Sequence, residues 1–215
     1  MIDGHDREQP NDQVKALFGT AYSQIDHFGR ILAEEGETRG VIGPHELQRL
    51  WSRHLENSAA LLPFISTRRG ITVLDVGSGA GLPGIVIACC RPDAELYLLE
   101  PMERRLQWLA DCVAELGLEN VTLLRGRAQD LPKKEKFDYV TARAVANMRK
   151  LVAMCAKQVR GGGKLLALKG QKAADEVRDA RAVIRDAGLI DVRIHEVVSL
   201  MDGSATRVVE ATKKR

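Results

Sequence analysis

The sequence predicts an α/β protein built on a mostly parallel, seven-stranded sheet that ends in an antiparallel hairpin. Three observations predict this fold. Short, β-rich apolar runs alternate with helical patterns from residue 71 onward, a glycine-rich turn follows the first run, and a D-G turn in MDGS (201–204) joins the last two. A length of 215 residues suits one such domain with an appendage.

Three segments are expected along the chain. Residues 1–12 lack apolar periodicity and are predicted to be a flexible tail. Residues 13–66 are predicted to be a helical extension, because apolar residues recur at helical spacing from Val14 to Glu35 and again after Pro44. Residues 67–215 are predicted to form the sheet domain.

The first five predicted strands are apolar on both faces, which indicates a parallel sheet with helices on both sides. They are ITVLDV (71–76), ELYLLE (95–100), NVTLLR (120–125), FDYVTA (137–142) and GKLLALK (163–169). Helical patterns separate these strands, and a further helix is expected near Ala173–Ala187. Strands at 192–200 and 205–212 complete the sheet as its hairpin.

The composition is that of an ordinary globular protein, with 45% hydrophobic and 28% charged residues. A net charge of +3 permits binding to a polyanion without requiring it, and 4% aromatic residues limit base stacking. No apolar run is long enough for a membrane span and no signal sequence begins the chain, so a cytoplasmic location is expected. No metal is expected, because no His/Cys cluster has zinc-ligand spacing.

The glycine-rich turn is the strongest functional signal. The strand TVLDV runs into GSGAGLPG (77–84) and then into an apolar helix. Gly77, Gly79 and Gly81 allow a sharp turn and close approach of a ligand, and the helix beyond offers free N–H groups. Such a turn after the first strand of an α/β sheet is typical of a nucleotide-like cofactor. The alternative is a tight turn with no ligand.

Two acidic residues indicate which cofactor this turn binds. Asp75 precedes the first glycine by two positions, where a carboxylate suits the ammonium and sulfonium of S-adenosylmethionine and opposes a pyrophosphate. Glu100 ends the next strand, where a carboxylate can accept both ribose hydroxyls of an adenosine. NAD enzymes place an acid similarly, so Glu100 does not choose between the two cofactors. Asp75 and the glycine spacing favour S-adenosylmethionine and therefore methyl transfer.

The residues after the fourth and fifth strands narrow the chemistry. Methylation of pyrimidine C5 needs a cysteine nucleophile, and no cysteine here has the sequence context of one. Methylation of an adenine amine typically uses an N/D-P-P-Y/F tetrad, and the sequence reads ARAVANM at that place. Methylation of a hydroxyl needs a base, and no obvious base follows the fourth strand. Arg143 stands there instead, and a guanidinium cannot accept a proton. It fits a ring nitrogen with a free lone pair, such as guanine N7. A surface or phosphate-contact role for Arg143 stays open.

Further basic residues are expected at the same sheet edge. Lys169 closes the fifth strand, where the alternative is an exposed strand-end lysine. Arg125 and Arg127 follow the third strand, and Arg53 and His54 lie on the helical extension. Together they would give this edge a positive field suited to RNA phosphates.

The chain resembles the bacterial small-subunit rRNA methyltransferases of the RsmG type, also called glucose-inhibited division protein B, over about residues 40–215. The segments that carry the resemblance are RLWSRHLENS (49–58), LDVGSGAGLPGIVIA (74–88), GRAQDL (126–131), TARAVANM (141–148) and ALKGQ (167–171). Two departures are present: Gln129 stands where many members have an acid, and RGVIGP replaces the segment W-N-L-T.

The resemblance implies a class I (Rossmann-like) methyltransferase that acts on N7 of guanine 527, in the 530 loop of 16S rRNA. It implies cofactor contacts at Gly77, Leu82, Ala128, Gln129 and Arg143. It implies functional basic residues at Arg127, Arg143 and Lys169 and at the pair Arg53–His54. The expected partner is 16S rRNA or the small ribosomal subunit, bound by a monomer, with no role for DNA or a membrane.

Three other functions stay open from the residues. A methyltransferase acting on a small molecule would need a closed apolar pocket. An NAD-dependent oxidoreductase is disfavoured by Asp75 and by the missing dinucleotide spacing. A non-catalytic RNA-binding protein could keep the same fold.

Overall fold

The computed structural model of the protein describes residues 8–132 and 134–215. It contains one seven-stranded sheet in the order β3-β2-β1-β4-β5-β7-β6. The first five strands are parallel, and β7 is antiparallel to both β5 and β6. The strands are β1 (Thr72–Val76), β2 (Glu95–Glu100), β3 (Val121–Arg125), β4 (Phe137–Arg143), β5 (Val159–Lys169), β6 (Leu189–Val198) and β7 (Ala205–Lys213). The predicted fold class is confirmed.

Helices cover both faces of the sheet, as the apolar strands require. They are α1 (Asp12–Phe18), α2 (Tyr22–Glu35), α3 (Glu56–Ala59), α4 (Gly84–Cys90), α5 (Glu103–Glu115), α6 (Met148–Cys155), α7 (Ala173–Asp179) and α8 (Arg181–Asp186). The helix expected near Ala173–Ala187 is thus two helices that meet at the fully buried Ala180. No helix in the described ranges has the length and hydropathy needed to cross a membrane.

The strand order places a crevice at the carboxyl edge of the sheet. The chain runs outward from β1 to β2 and β3, then returns to the other side of β1 with β4. Asp75 is in register with Leu98 of β2 and Thr141 of β4, so the ends of these three strands lie side by side. Ligands of open α/β sheets bind at such a switch point. The glycine turn after β1 and Arg143 at the end of β4 flank it.

The N-terminal helices pack onto the sheet domain as part of its core. Ile25, Phe28 and Leu32 of α2 are buried in one apolar cluster with Leu82 and Ile85 of the glycine turn and α4. Removing this apolar surface from water stabilises the contact at roughly 25 cal/mol per Å². The extension therefore lies over the glycine turn and fixes its position.

The second half of the extension is less regular than its sequence pattern predicts. Residues Pro44–Arg49 form a 3₁₀ segment, Trp51–Leu55 a π-helical turn and Glu56–Ala59 a short α-helix. A π-turn shifts the side chains of a helix relative to regular spacing and often occurs at functional sites. Here it carries Arg53 and His54.

The predicted tail, 1–12, is described only from residue 8. Glu8 accepts hydrogen bonds from the backbone N–H and the hydroxyl of Ser52, at 2.8 and 2.6 Å, and α1 begins at Asp12 behind an Asn11 cap. These contacts dock residues 8–12 on the extension. The rest of the predicted tail, 1–7, lies outside the described residues.

Candidate active site

The glycine turn has the sharp, left-handed backbone that its three glycines allow. Gly77, Gly79 and Gly81 have φ values of +71°, +54° and +97°, which side chains other than hydrogen rarely allow. A Cβ on Gly81 would lie 2.5 Å from the Ile85 side chain, and one on Gly77 would lie 3.0 Å from Val145. Gly77 and Gly81 therefore have no room for a side chain, while Gly79 is favoured only by its backbone conformation.

Asp75 lies under this turn and holds it. Its side chain is fully buried, and its carboxylate accepts hydrogen bonds from Gly84 N–H at 3.1 Å and from the Thr141 hydroxyl at 3.1 Å. Burial raises the pKa of Asp75 to about 6, while hydrogen bonds from Ser78, Thr141 and Gly84 oppose the rise. Both oxygens contact groups of the protein, so a direct contact of Asp75 with a cofactor stays a prediction.

Glu100 joins the end of β2 to the same turn. The residue is 2% exposed, and its two oxygens accept from Gly79 N–H and Met102 N–H, each at 3.0 Å. A carboxylate oxygen has two acceptor positions, so each can also accept a hydroxyl. Trp108 of α5 supports the turn from the other side by donating to the Ala80 carbonyl at 3.1 Å. These contacts fit the adenosine site that the sequence predicts.

The remaining predicted cofactor residues lie near the end of β3 and in the turn. Leu82 is buried with α2, and Ala128 is buried while Gln129 is exposed in the short 3₁₀ segment Ala128–Asp130. Arg127 is exposed just before this segment, and Arg125 forms an ion pair with Glu103 at 3.0 Å. Neither arginine lines the cleft described next.

A cleft of about 670 Å³ lies beside the crevice, at the ends of β4 and β5. Its walls come from the helical extension, the ends of β4 and β5, and the β6–β7 hairpin, and most of its lining side chains are polar or charged. Four of the predicted site residues meet here, namely Arg53, His54, Arg143 and Lys169. They come from three distant segments of the sequence, and the sequence predicted that they share this edge of the sheet.

The Arg143 side chain is held by the helical extension. Its guanidinium donates to the Arg53 carbonyl and to Nδ1 of His54, each at 3.0 Å. Burial lowers the pKa of Arg143 to about 10, so it stays cationic at neutral pH. The next residue, Ala144, has φ +55°, a strained value for a residue with a side chain, and this strain lies beside the site.

His54 is neutral in this arrangement. Burial is the main cause that lowers its pKa to about 4, with Arg143 adding to the shift and Glu46 opposing it. Its Nε2 lies 2.9 Å from the Glu46 carboxylate without hydrogen-bond alignment, and Arg53 pairs with the same carboxylate at 3.2 Å. Glu46 carried no signal in the sequence, because its partners are recognisable only in space.

Lys169 is less exposed than a strand-end lysine would be. Its side chain is 10% exposed, and its ammonium donates to the Ala146 carbonyl and to Glu176, the latter at 2.9 Å. Glu176 also accepts from Met148 N–H at 2.9 Å, at the start of α6. Lys169 therefore holds the β4–α6 loop beside Arg143, and Glu176 is a second residue that sequence reasoning missed.

The hairpin wall of the cleft is fastened to the extension. Buried Glu56 accepts from the Ser199 hydroxyl at 2.6 Å and from Leu200 N–H, and Arg49 pairs with Asp202. The cleft thus has fixed walls on both sides. No group of three or more potential metal ligands occurs in the part of the chain that the structure describes.

Comparison with known proteins identifies the family of this site. The model of the family described as rRNA small subunit methyltransferase G matches residues 21–202. The chain is 47% identical over 199 residues to the Ribosomal RNA small subunit methyltransferase G of Leifsonia xyli, covering 91% of this chain and 92% of that protein. The protein of the same name from Beutenbergia cavernae is 45% identical over 196 residues, with the same coverage.

Solved structures agree in fold. M. jannaschii TYW2, solved in complex with AdoMet, matches with a TM-score of 0.60 and 21% identity over 77% of this chain and 78% of that one. At this identity the likeness concerns the fold. The family model and the sequence relatives show the family as well as the fold: the chain belongs to the rRNA small subunit methyltransferase G family.

Proposed function

We propose that this chain transfers the methyl group of S-adenosylmethionine to N7 of a guanine in 16S rRNA, guanine 527 of the 530 loop. The observation that carries the proposal is the polar cleft beside the glycine turn, in which Arg143 and Lys169 meet. The names of the sequence relatives support the small-subunit rRNA as substrate class. We further propose that the protein acts as a cytoplasmic monomer.

The residues at the crevice fit the cofactor. The backbone of Gly77, Gly79, Gly81 and Leu82 forms the turn against which it lies, and Glu100 accepts the ribose hydroxyls. Ala128 and Gln129 border the adenine, through main-chain groups that do not depend on an acid at 129. Asp75 keeps the turn in place. When bound, S-adenosylmethionine supplies a methyl group on a sulfonium and leaves as S-adenosylhomocysteine.

The cleft favours a nucleophile that needs no base. Three carboxylates line it, and each is already engaged: Glu46 with Arg53, Glu56 with the hairpin, and Glu176 with Lys169. The Nδ1 lone pair of His54 is used by Arg143. Guanine N7 has a free lone pair, so the N7–CH₃ bond forms as the S–CH₃ bond breaks and the positive charge passes to the base with no proton to remove.

Arg143 orients the base in this proposal. A guanidinium can donate to both O6 and N7 of guanine, but N7 must stay free for the reaction. Arg143 therefore donates to O6 and turns N7 toward the methyl group, a step that depends on alignment. Lys169 fixes the loop between β4 and α6, and Arg53 lines the cleft where RNA would approach. Exposed Arg127 lies outside the cleft lining and would contact RNA beyond it, while buried His54 would act through Arg143.

The other reactions considered from the sequence are less well supported. Burial raises the pKa of the cysteine thiols to about 12, which opposes a thiolate attack on pyrimidine C5; these are Cys89, Cys90, Cys112 and Cys155. The charged cleft differs from the closed apolar pocket expected of a methyltransferase for small molecules. Calorimetry with S-adenosylmethionine and NAD tests the oxidoreductase alternative, and tight binding of NAD alone would overturn our proposal.

Methyl transfer to isolated small subunits tests the proposal. Subunits that lack the modification are incubated with the protein and tritiated S-adenosylmethionine, and the labelled nucleotide is mapped. We expect one labelled guanine, in the 530 loop. Label on another base or on a ribose would refute the N7 assignment, and transfer to metabolites without RNA would favour the small-molecule alternative.

A further inference from the structure

Three side chains form a row from the extension into the cleft. The Glu46 carboxylate lies 2.9 Å from Nε2 of His54, and Nδ1 of His54 lies 3.0 Å from Nη2 of Arg143. Glu46 lies in the 3₁₀ segment, His54 in the π-turn and Arg143 at the end of β4. The row therefore depends on the irregular shape of the extension, which brings two of its turns to one strand end.

The row requires one tautomer of His54. A guanidinium has only donors, so Nδ1 must present its lone pair to Arg143. The proton of the neutral ring is then on Nε2, facing the negative charge of Glu46. The two groups are not aligned as a hydrogen bond, so Glu46 favours this tautomer through its negative charge at 2.9 Å. A carboxylate beside an imidazole has the same effect on histidines that bind metals.

We propose that Glu46 and His54 are positioning residues that hold the Arg143 guanidinium in place for the substrate guanine. This inference rests on the proposed function, because it assigns the two residues to the orientation of the base. Protonation of His54, or the other tautomer, would place an N–H against Arg143 and turn the guanidinium away. The charged groups that act on His54 are Glu46 of the 3₁₀ segment, Arg143 of β4 and its own neighbour Arg53.

A double-mutant cycle tests whether the two residues act through Arg143. Glu46→Gln removes the charge at nearly constant size, and His54→Leu removes the ring nitrogens. Each is made alone and together with Arg143→Ala. We expect each single change to lower kcat about 10-fold, since small misplacements of a positioned group cost this much or more. Combined with Arg143→Ala, each should lower kcat by less than about 2-fold further.

Glu115→Gln is the matched control. Glu115 also lies 2.9 Å from an imidazole nitrogen, that of His27, but at the far end of α5 from the cleft. We expect this variant to keep the wild-type kcat. The affinity for S-adenosylmethionine, measured by calorimetry, should stay within about 2-fold in Glu46→Gln, which separates a positioning effect from misfolding.

The outcomes distinguish this inference from the proposed function. An equal decrease in kcat from Glu46→Gln in the wild type and in the Arg143→Ala variant would overturn the inference. An unchanged kcat in both Glu46→Gln and His54→Leu would also overturn it. Nitrogen NMR of His54 gives a second readout, since we expect the Nε2–H tautomer in the wild type and a mixture in Glu46→Gln. If the methylated atom were not guanine N7, the proposed function would fail while the cycle, run on the true substrate, would still test the row.

Discussion

At the scale of single residues, the site consists of charged groups that are buried and bound by the protein itself. Arg143 is held by His54 and the Arg53 carbonyl, Lys169 by Glu176, and Asp75 by Gly84 and Thr141. These groups lose their contact with water when the protein folds, before the substrate arrives, so they are already oriented for it. Substitutions of Arg143 and Lys169 should therefore affect catalysis more than cofactor binding.

The Arg143→Lys variant tests the need for the forked guanidinium. Lysine keeps the charge but cannot contact His54, the Arg53 carbonyl and the base at once. We predict a decrease in kcat of about 100-fold, or about 2.7 kcal/mol of transition-state stabilisation, with the KM for S-adenosylmethionine changed far less. Steady-state methyl transfer measures this. A variant with wild-type kcat would show that charge alone suffices.

His54 gives a stability prediction with a defined sign. Its pKa is about 4 in the folded protein against 6.5 ordinarily, so between these values only the unfolded chain binds the proton. His54 thus lowers the free energy of unfolding as pH falls from 6.5 to 4. Asp75 acts in the opposite direction below pH 6, because its pKa is raised and its folded form binds the proton.

Asp75 is present in both wild type and His54→Gln, so its opposite contribution cancels. The difference between their free energies of unfolding therefore reports the histidine alone. We predict that the variant gains stability relative to wild type as pH falls from 6.5 to 4, by up to about 3 kcal/mol. Urea unfolding at several pH values measures this difference. A constant difference across the range would contradict the lowered pKa.

At the scale of elements, two connections determine the shape of the site. The glycine turn is held between β1, α2 and α5, and the β6–β7 hairpin is tied to α3. Each connection includes a close contact that a single substitution disturbs. Local sequence patterns predict the elements themselves and contain no information on these contacts.

The Gly84→Ala variant tests the packing of the turn against the sheet. A Cβ at Gly84 would lie 2.3 Å from the Leu98 side chain and 2.7 Å from the Asp75 carboxylate, so the start of α4 must shift. We predict a loss of about 1–3 kcal/mol in unfolding free energy and weaker binding of S-adenosylmethionine. Gly170→Ala is the control for stability, because nothing lies within 4 Å of its added Cβ.

The Glu56→Gln variant tests the attachment of the hairpin. The neutral amide cannot accept from both Ser199 and Leu200 N–H as a carboxylate does, so the turn at 199–204 should loosen. We predict a loss of about 1–3 kcal/mol and faster hydrogen exchange in this turn. Glu196→Gln, which breaks only an exposed ion pair with Arg207, should change neither by a comparable amount.

At the scale of the whole molecule, the sequence predicts the fold more completely than it predicts the site. Apolar runs alternating with helical patterns predicted all seven strands and the hairpin, since the central parallel strands β1 and β4 are buried on both faces. The row from Glu46 to Arg143 was not predictable, because its members are as far as 97 positions apart and meet only when the extension packs on the sheet. The irregular turns at 44–59 were missed because helical spacing hides a local 3₁₀ or π segment.

In the proposed reaction one atom, guanine N7, receives the methyl group in a cleft whose three lining carboxylates are all engaged by the protein. The most direct test uses small subunits reconstituted with 16S rRNA that carries 7-deazaguanine at position 527, which keeps O6 but lacks N7. Transfer of tritiated methyl to these subunits is compared with transfer to unmodified ones. We predict label on the unmodified subunits and none on the deaza subunits. Equal label on both would contradict this prediction.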